Sequence, residues 1–175
     1  MGITRLNHAV LYVSDLRRSV DFYSNVLGFD RVDMTPDRFA GAAFLRAAGS
    51  TNDHDLGLFA VGAGAAPSAA GRGAVGLYHL AWSVGTLPEL AIFAERLAEV
   101  GALVGSSDHG VSKSLYGKDP DGLEFEIVWL VPADLLDEQA LAARKRIGPL
   151  DLAREKQRYG AQTHGGVGIS IPAPA

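Results

Sequence analysis

Five histidines, at positions 8, 54, 79, 109 and 164, are all the imidazoles in this chain of 175 residues. Cysteine is absent, which excludes disulfides, thiolate metal sites and a cysteine nucleophile. Any imidazole chemistry must use those five side chains. The stretch "DHGVSKSLYGKDPDGLEFEI", 108 to 127, crowds His109, Tyr116, Glu124 and Glu126 around one turn. "DPDG", 119 to 122, is a turn signal, and the strand "LEFEIVWL" leaves it. On that strand Leu123, Phe125 and Ile127 form an apolar face, while Glu124 and Glu126 share the other. A solvated strand edge would explain both glutamates without chemistry. Glu126, however, is followed by "IVWL", where little solvated surface is expected. It is the better candidate for an inward-facing carboxylate, and Glu124, beside the turn, for the rim.

A repeat supplies possible partners. "LNHAVLYVSDL" at 6 to 16 matches "LYHLAWSVGTL" at 77 to 87: Leu6 with Leu77, His8 with His79, Val13 with Val84, Leu16 with Leu87. The offset is 71 throughout (79 − 8) and continues to Phe22 and Phe93. Equivalent positions of two repeats lie close together if the repeats pack as a symmetric pair, so His8 and His79 can share one metal. Each could instead be a hydrogen-bonded core histidine. Two imidazoles and the Glu126 carboxylate, with open positions left over, make the facial arrangement typical of non-haem Fe(II).

The elements that must position these groups read alike in both halves. A short apolar strand is followed by a capping residue, Asp15 or Thr86, and Thr86 with Glu89 has capping-box spacing. An amphipathic helix comes next, with Val20, Tyr23 and Leu27 on one face in the first half and Leu90, Ala94, Leu97 and Val100 in the second. Gly28 and Gly101 stand where helices end. Three strands follow, at roughly 29–35, 40–47 and 55–61, then at roughly 103–107, 112–118 and 123–130. The fold class is α+β, with two βαβββ modules at 1–60 and 77–131. A Gly/Ala-rich connection fills 61–76. A C-terminal helical extension and tail occupy 132–175, with helical segments broken at Gly148-Pro149 and no helical signal in the last residues. Its apolar positions Leu135, Leu136, Leu141, Ile147, Leu150 and Leu152 need a surface to cover, on their own module or across a homodimer interface. The homodimer is the favoured expectation.

Composition narrows the function classes. The chain is 47% hydrophobic and 21% charged, an ordinary globular balance. A net charge of −4 argues against a nucleic-acid surface. No apolar run approaches the ~20 residues that span a bilayer. The N-terminus has no signal-peptide pattern, so a cytoplasmic protein is expected.

The residues "LNHAVLYVSDLRRSVDFYSNVLGF", "GLYHLAW" and "DPDGLEFEI" resemble the vicinal oxygen chelate superfamily. That superfamily includes glyoxalase I, fosfomycin and bleomycin resistance proteins, and type I extradiol catechol dioxygenases. The likeness spans residues 3 to 131. It implies paired βαβββ modules forming an open mixed β-barrel around a divalent metal held by His8, His79 and Glu126. The superfamily's turn usually ends in Asn; Leu123 stands there in this chain.

Within the superfamily the chain looks most like the extradiol dioxygenases. Glyoxalase I has a fourth ligand, a glutamate, on the last strand of its first module. "NDHDLGLF", 52 to 59, has no glutamate and carries His54 and Asp55 instead. The resemblance makes His54 the acid-base group near O2, Tyr116 a donor to a substrate oxygen and His109 a supporting donor. The His109-to-Tyr116 gap is slightly shorter than in those enzymes. No organic cofactor is implied. The expected cofactor is Fe(II), with Mn(II) or another divalent metal as alternatives, and the expected partners are a small aromatic diol and O2. Two other readings stay open. One is a metal-dependent glyoxalase- or epimerase-type lyase or isomerase, which needs Asp55 rather than His54 to face inward. The other is a resistance-type module that binds an aromatic antibiotic without metal.

Overall fold

The structure is a computed structural model and describes residues 2–34, 41–71 and 73–166. The chain forms two compact units, Met1–Ala69 with Asp119–Gly122, and Ala70–Lys118 with Leu123–Ala175. The division falls inside the Gly/Ala-rich connection, and the "DPDG" turn is counted with the first unit.

The first unit runs β1 (Ala9–Val13), α1 (Leu16–Asn25), β2 (Phe29–Val32), β3 (Ala42–Ala47) and β4 (Leu56–Ala60). Its sheet has the order β1-β4-β3-β2, with β1 and β4 parallel and the other pairs antiparallel. The Asp15 carboxylate caps α1 by accepting from the Arg18 N–H. Ser19 and Tyr23 bury the inner face of that helix, and Leu27, just past its end, joins Leu11, Val13, Leu45, Leu56 and Leu58 in the core. The "DPDG" turn is tied in by its two aspartates. Asp121 accepts from the Ser14 N–H at 2.8 Å and from Arg18 Nη2 at 2.8 Å. Asp119 accepts from the Tyr23 hydroxyl at 3.2 Å. Burial and then the neighbouring Asp119 charge push the Tyr23 hydroxyl well above its usual pKa.

The second unit repeats the plan with β5 (His79–Ser83), α2 (Leu87–Glu99), β6 (Leu103–Asp108), β7 (Ser112–Lys118) and β8 (Glu124–Leu130). The strand order is β5-β8-β7-β6, again with the first pair parallel. The Thr86–Glu89 capping box is formed in both directions. Gly28 and Gly101 have φ of +76° and +69°, the left-handed turns that only glycine takes without strain. Both units are thus βαβββ with open four-stranded mixed sheets. One helix position departs from the periodicity. Val100 is 54% exposed, because it caps α2 beyond the last buried turn, and Leu87 joins Leu90 and Leu97 in the core instead.

The C-terminal extension contributes a single 3-10 turn at Ala133–Leu135, α3 (Glu138–Ala143) and α4 (Leu152–Tyr159). Helix α4 packs against α2 and its Tyr159 ring meets Trp129 at 5.4 Å, so the extension covers part of its own unit. Leu135, Leu141 and Ile147 stay exposed. The expected strand ends at residues 35 and 40 and the last nine residues of the tail, 167–175, lie outside the described residues.

Candidate functional site

Strand register sorts the second unit into two faces. Tyr116 stands opposite Glu126, and Ala81 opposite Glu126 on the other side. His79 is in register with Glu124, so His79, Glu124, Glu126 and Tyr116 share one face. Leu115, Phe125, Ile127 and Trp129 point the other way and are buried. Gly117 has no side chain because a Cβ there would collide with the Phe125 ring.

On the polar face His79 Nε2 lies 3.2 Å from Glu126 Oε2. His79 Nδ1 is buried and makes no hydrogen bond among the described residues. Glu124 sits at the exposed end and pairs with Lys118 at 3.4 Å. Next to Glu126 three polar atoms close a triangle. His109 Nε2 is 2.9 Å from the Tyr116 hydroxyl and 2.7 Å from Ser107 Oγ, and the two hydroxyls are 3.1 Å apart. One ring nitrogen cannot donate to both hydroxyls and accept from them at once, so protons can be arranged around this triangle in more than one way. Ser107, only 4% exposed, was not singled out in the sequence. Its place on β6, two residues before His109, is the signal that points to it.

In the first unit the His8 and His54 rings lie 4.5 Å apart, tilted by 43°. Phe44 meets His54 edge-on at 5.0 Å. Among the described residues His54 Nδ1 is buried without a hydrogen bond, 3.6 Å from the Asp53 carboxylate. Both histidines precede their strands, which begin at Ala9 and Leu56, so strict strand alternation does not govern where they point. Asp55 is occupied by its own loop. It accepts from the Ala47 N–H at 2.8 Å, the Ser50 hydroxyl at 2.8 Å and the Asn52 amide at 2.6 Å. Burial works against its charge, but those donors outweigh burial and hold the carboxyl below its ordinary range.

The structure therefore brings together His79 with Glu126, His109 with Tyr116, and His8 with His54, each pair inside one unit. Among the described residues no three His, Cys, Asp or Glu side chains gather as a metal cluster. His164 is exposed and belongs to none of these pairs. Among the described residues no helix is long and apolar enough to cross a membrane.

A catechol-2,3-dioxygenase from Bacillus subtilis (strain 168) is 36% identical over 127 residues, which cover 71% of this chain and 41% of that protein. A manganese-dependent 2,3-dihydroxybiphenyl 1,2-dioxygenase from Geobacillus genomosp. 3 is 28% identical over 131 residues, 73% of this chain and 37% of that one. The chain spans about two fifths of the length of these curated relatives. Among solved structures, a glyoxylase/bleomycin resistance protein/dioxygenase domain from Frankia sp. EAN1pec superposes with a TM-score of 0.61 at 23% identity, covering 73% of this chain and 92% of that one. A lactoylglutathione lyase from Agrobacterium tumefaciens gives 0.53 at 22% identity, over 73% and 95%. At those identities the likeness is one of fold. A family model matches residues 5–127, well over half of the sequence, and by that match the chain belongs to the Glyoxalase/Bleomycin resistance protein/Dioxygenase superfamily.

Proposed function

We propose that the chain carries an extradiol ring-cleaving site for a catechol-type aromatic diol and O2, with Fe(II) as its metal. The observation that carries this reading is the polar sheet face that sets Tyr116 directly opposite Glu126, with His79 and His109 in contact with one or the other. The names of the two curated relatives support the same chemistry.

The donors fit a divalent ion. An imidazole nitrogen and a carboxylate oxygen converge at 3.2 Å. Two ligands bound at ~2.1 Å and at right angles lie ~3 Å apart, so this spacing suits one metal with little movement. His79 and Glu126 would hold it, and His8, at the matched place of the repeat, is the proposed third ligand. Mn(II) or another divalent ion would suit the same donors. When bound, the metal would lower the pKa of a substrate hydroxyl and hold diol and O2 side by side.

The protein groups have separate tasks. Tyr116, held by Ser107 and His109, offers its hydroxyl proton to a substrate oxygen and can be resupplied from His109 through the same triangle. His54 serves as the acid-base group on the oxygen side, with a ring nitrogen that makes no hydrogen bond among the described residues. Phe44 and His8 fix the plane of its ring. The engagement of Asp55 by Ala47, Ser50 and Asn52 argues against a fourth carboxylate ligand and so against the lyase or isomerase reading. The exposed Leu135, Leu141 and Ile147 support a homodimer, which light scattering would detect.

The test is oxygen uptake and the appearance of a yellow ring-opened product from catechols, using protein loaded with Fe(II) under anaerobic conditions. His54→Phe should keep the metal and lose ~100- to 10,000-fold in ring cleavage. Loss of metal in that variant, or an inactive wild type on every catechol tried, would overturn the reading.

A further inference from the structure

The turn that carries His109 is fastened from the side of the sheet opposite the polar face. Lys113, on β7, points into the apolar layer and is fully buried. Its ammonium donates to Asp108 Oδ1 at 2.6 Å and to the Gly110 carbonyl at 3.2 Å, and forms an ion pair with Glu155 Oε2 at 3.0 Å. The Tyr159 ring lies 5.5 Å away. Both acceptors flank His109 in sequence, and Glu155, itself fully buried, comes from α4 of the C-terminal extension.

The extension touches the same turn at two further places. The main chain of Asp108 exchanges both hydrogen bonds with Gly148, each 2.9 Å long. Gly110, at φ +76°, lies so close to α3 that a Cβ there would collide with the Ala140 carbonyl. Arg154 reaches Asp108 at 3.5 Å and Glu155 at 3.0 Å. A buried ion pair is a poor device for stability alone, since apolar residues of similar volume often serve as well or better. What an apolar pair cannot do is hold Asp108 and the Gly110 carbonyl in place. The family match ends at residue 127, so the extension lies beyond the part of the chain it covers.

We infer that the C-terminal extension is a positioning device for His109, with the buried Lys113–Glu155 pair as its fastening. The importance of His109 rests on the function proposed above; the fastening itself does not. Lys113 and Glu155 act on the site through the turn and touch none of the candidate metal or substrate groups.

The experiment uses the full chain without metal or substrate. The double variant Lys113→Met/Glu155→Leu removes both buried charges and keeps the volume. Amide hydrogen exchange at His109, Gly110 and Val111 should rise roughly tenfold or more, while exchange in β8 stays at the wild-type rate. The imidazole ¹⁵N resonances of His109 should also move, because its Nε2 loses its fixed place against Ser107 and Tyr116. A folded double variant with unchanged turn exchange and unchanged His109 resonances would overturn the inference, and so would a uniform rise across the whole unit. If the double variant fails to fold, Asp108→Asn decides the matter. It keeps an acceptor for the Gly110 N–H but weakens the hold of Lys113, and it should change the same signals in the same direction by a smaller factor; wild-type signals there would refute the proposal. These readouts stand apart from catalysis. A turn that loosens in a protein without dioxygenase activity would sink the functional reading and leave the fastening intact.

Discussion

Where the second sheet carries Glu126, the first carries Gly57. The matching follows from register: Ala9 pairs with Leu56 and Leu80 with Phe125, and Ala9 and Leu80 are themselves 71 residues apart (80 − 9). Gly57 therefore takes the place of Glu126, and Asp55 that of Glu124. Val10 and Phe44 border the place, where a Cβ would stand in van der Waals contact at 3.4 Å from Val10 and 3.5 Å from Phe44. Phe44 in turn abuts His54. The same βαβββ plan thus yields a histidine 3.2 Å from a carboxylate of the neighbouring strand in one unit, and in the other a histidine beside a second histidine and Phe44, with the exposed Asp53 carboxylate 3.6 Å away. A duplicated fold supplies two equivalent backbone places, but it does not oblige both to hold ligands.

The largest effect that could break this comparison is at Glu126. Glu126→Gln should lower metal content after dialysis by ~10- to 100-fold or more, the scale on which even supporting groups of a metal site matter. Glu124→Gln, two residues away on the same face, should leave it nearly unchanged. Elemental analysis of both variants decides, and the reverse result would mean that the wrong carboxylate of β8 has been assigned to the metal.

The matched pair Asp55 and Glu124 should separate on stability instead. Asp55→Ala leaves the Ala47 N–H, the Ser50 hydroxyl and the Asn52 amide without their acceptor, at a cost of ~1–3 kcal/mol in urea unfolding. Glu124→Ala removes one half-exposed pair with Lys118 and should cost under ~1 kcal/mol. Equal losses would mean that the two places are alike in energy as well as in register.

The smallest effect is on pH dependence, and it is shared by the units. Asp55 is held low against burial by its loop donors, and Asp108 is held low against burial by Lys113 and the Gly110 N–H. A carboxyl whose folded pKa lies below its unfolded one stabilises the fold above the ordinary value of ~4, and that stability disappears as pH falls through the lower folded value. Unfolding free energy should therefore be level near neutrality and fall below about pH 4. Asp108→Asn should flatten part of that fall and leave the share of Asp55. An acid limb unchanged in Asp108→Asn would show that the second unit contributes nothing to it.

Local pattern made much of the fold readable. The capping residues Asp15 and Thr86, the glycines at 28 and 101 and the period-two strand "LEFEI" each depend on neighbours a few residues away, so the repeated βαβββ unit was visible in the chain. Alternation alone also separated Phe125 and Ile127 from Glu124 and Glu126, because a strand has only two faces. Lys113 was less legible. A lysine on the apolar face of β7 is held by Asp108 and Gly110 nearby and paired with Glu155, forty-two residues later (155 − 113), and no local rule connects it to Glu155.

By itself the sequence determined which groups are available for chemistry: five imidazoles, no thiol, and two glutamates after one turn. It also determined the elements that bear them, since caps, turns and periodicity act over short distances. Tertiary structure alone decided what those groups face. Glu126 meets His79 and Glu124 meets Lys118 because parallel and antiparallel pairing set the register across β5, β8 and β7. Asp55 is turned into its loop and His54 against Phe44 because buried donors claim a carboxylate before solvent can, and an imidazole ring can pack on apolar neighbours without one. Ser107 joins His109 and Tyr116 for the same reason: a nearly buried hydroxyl must find partners, and the only way to see which ones is to fold the chain.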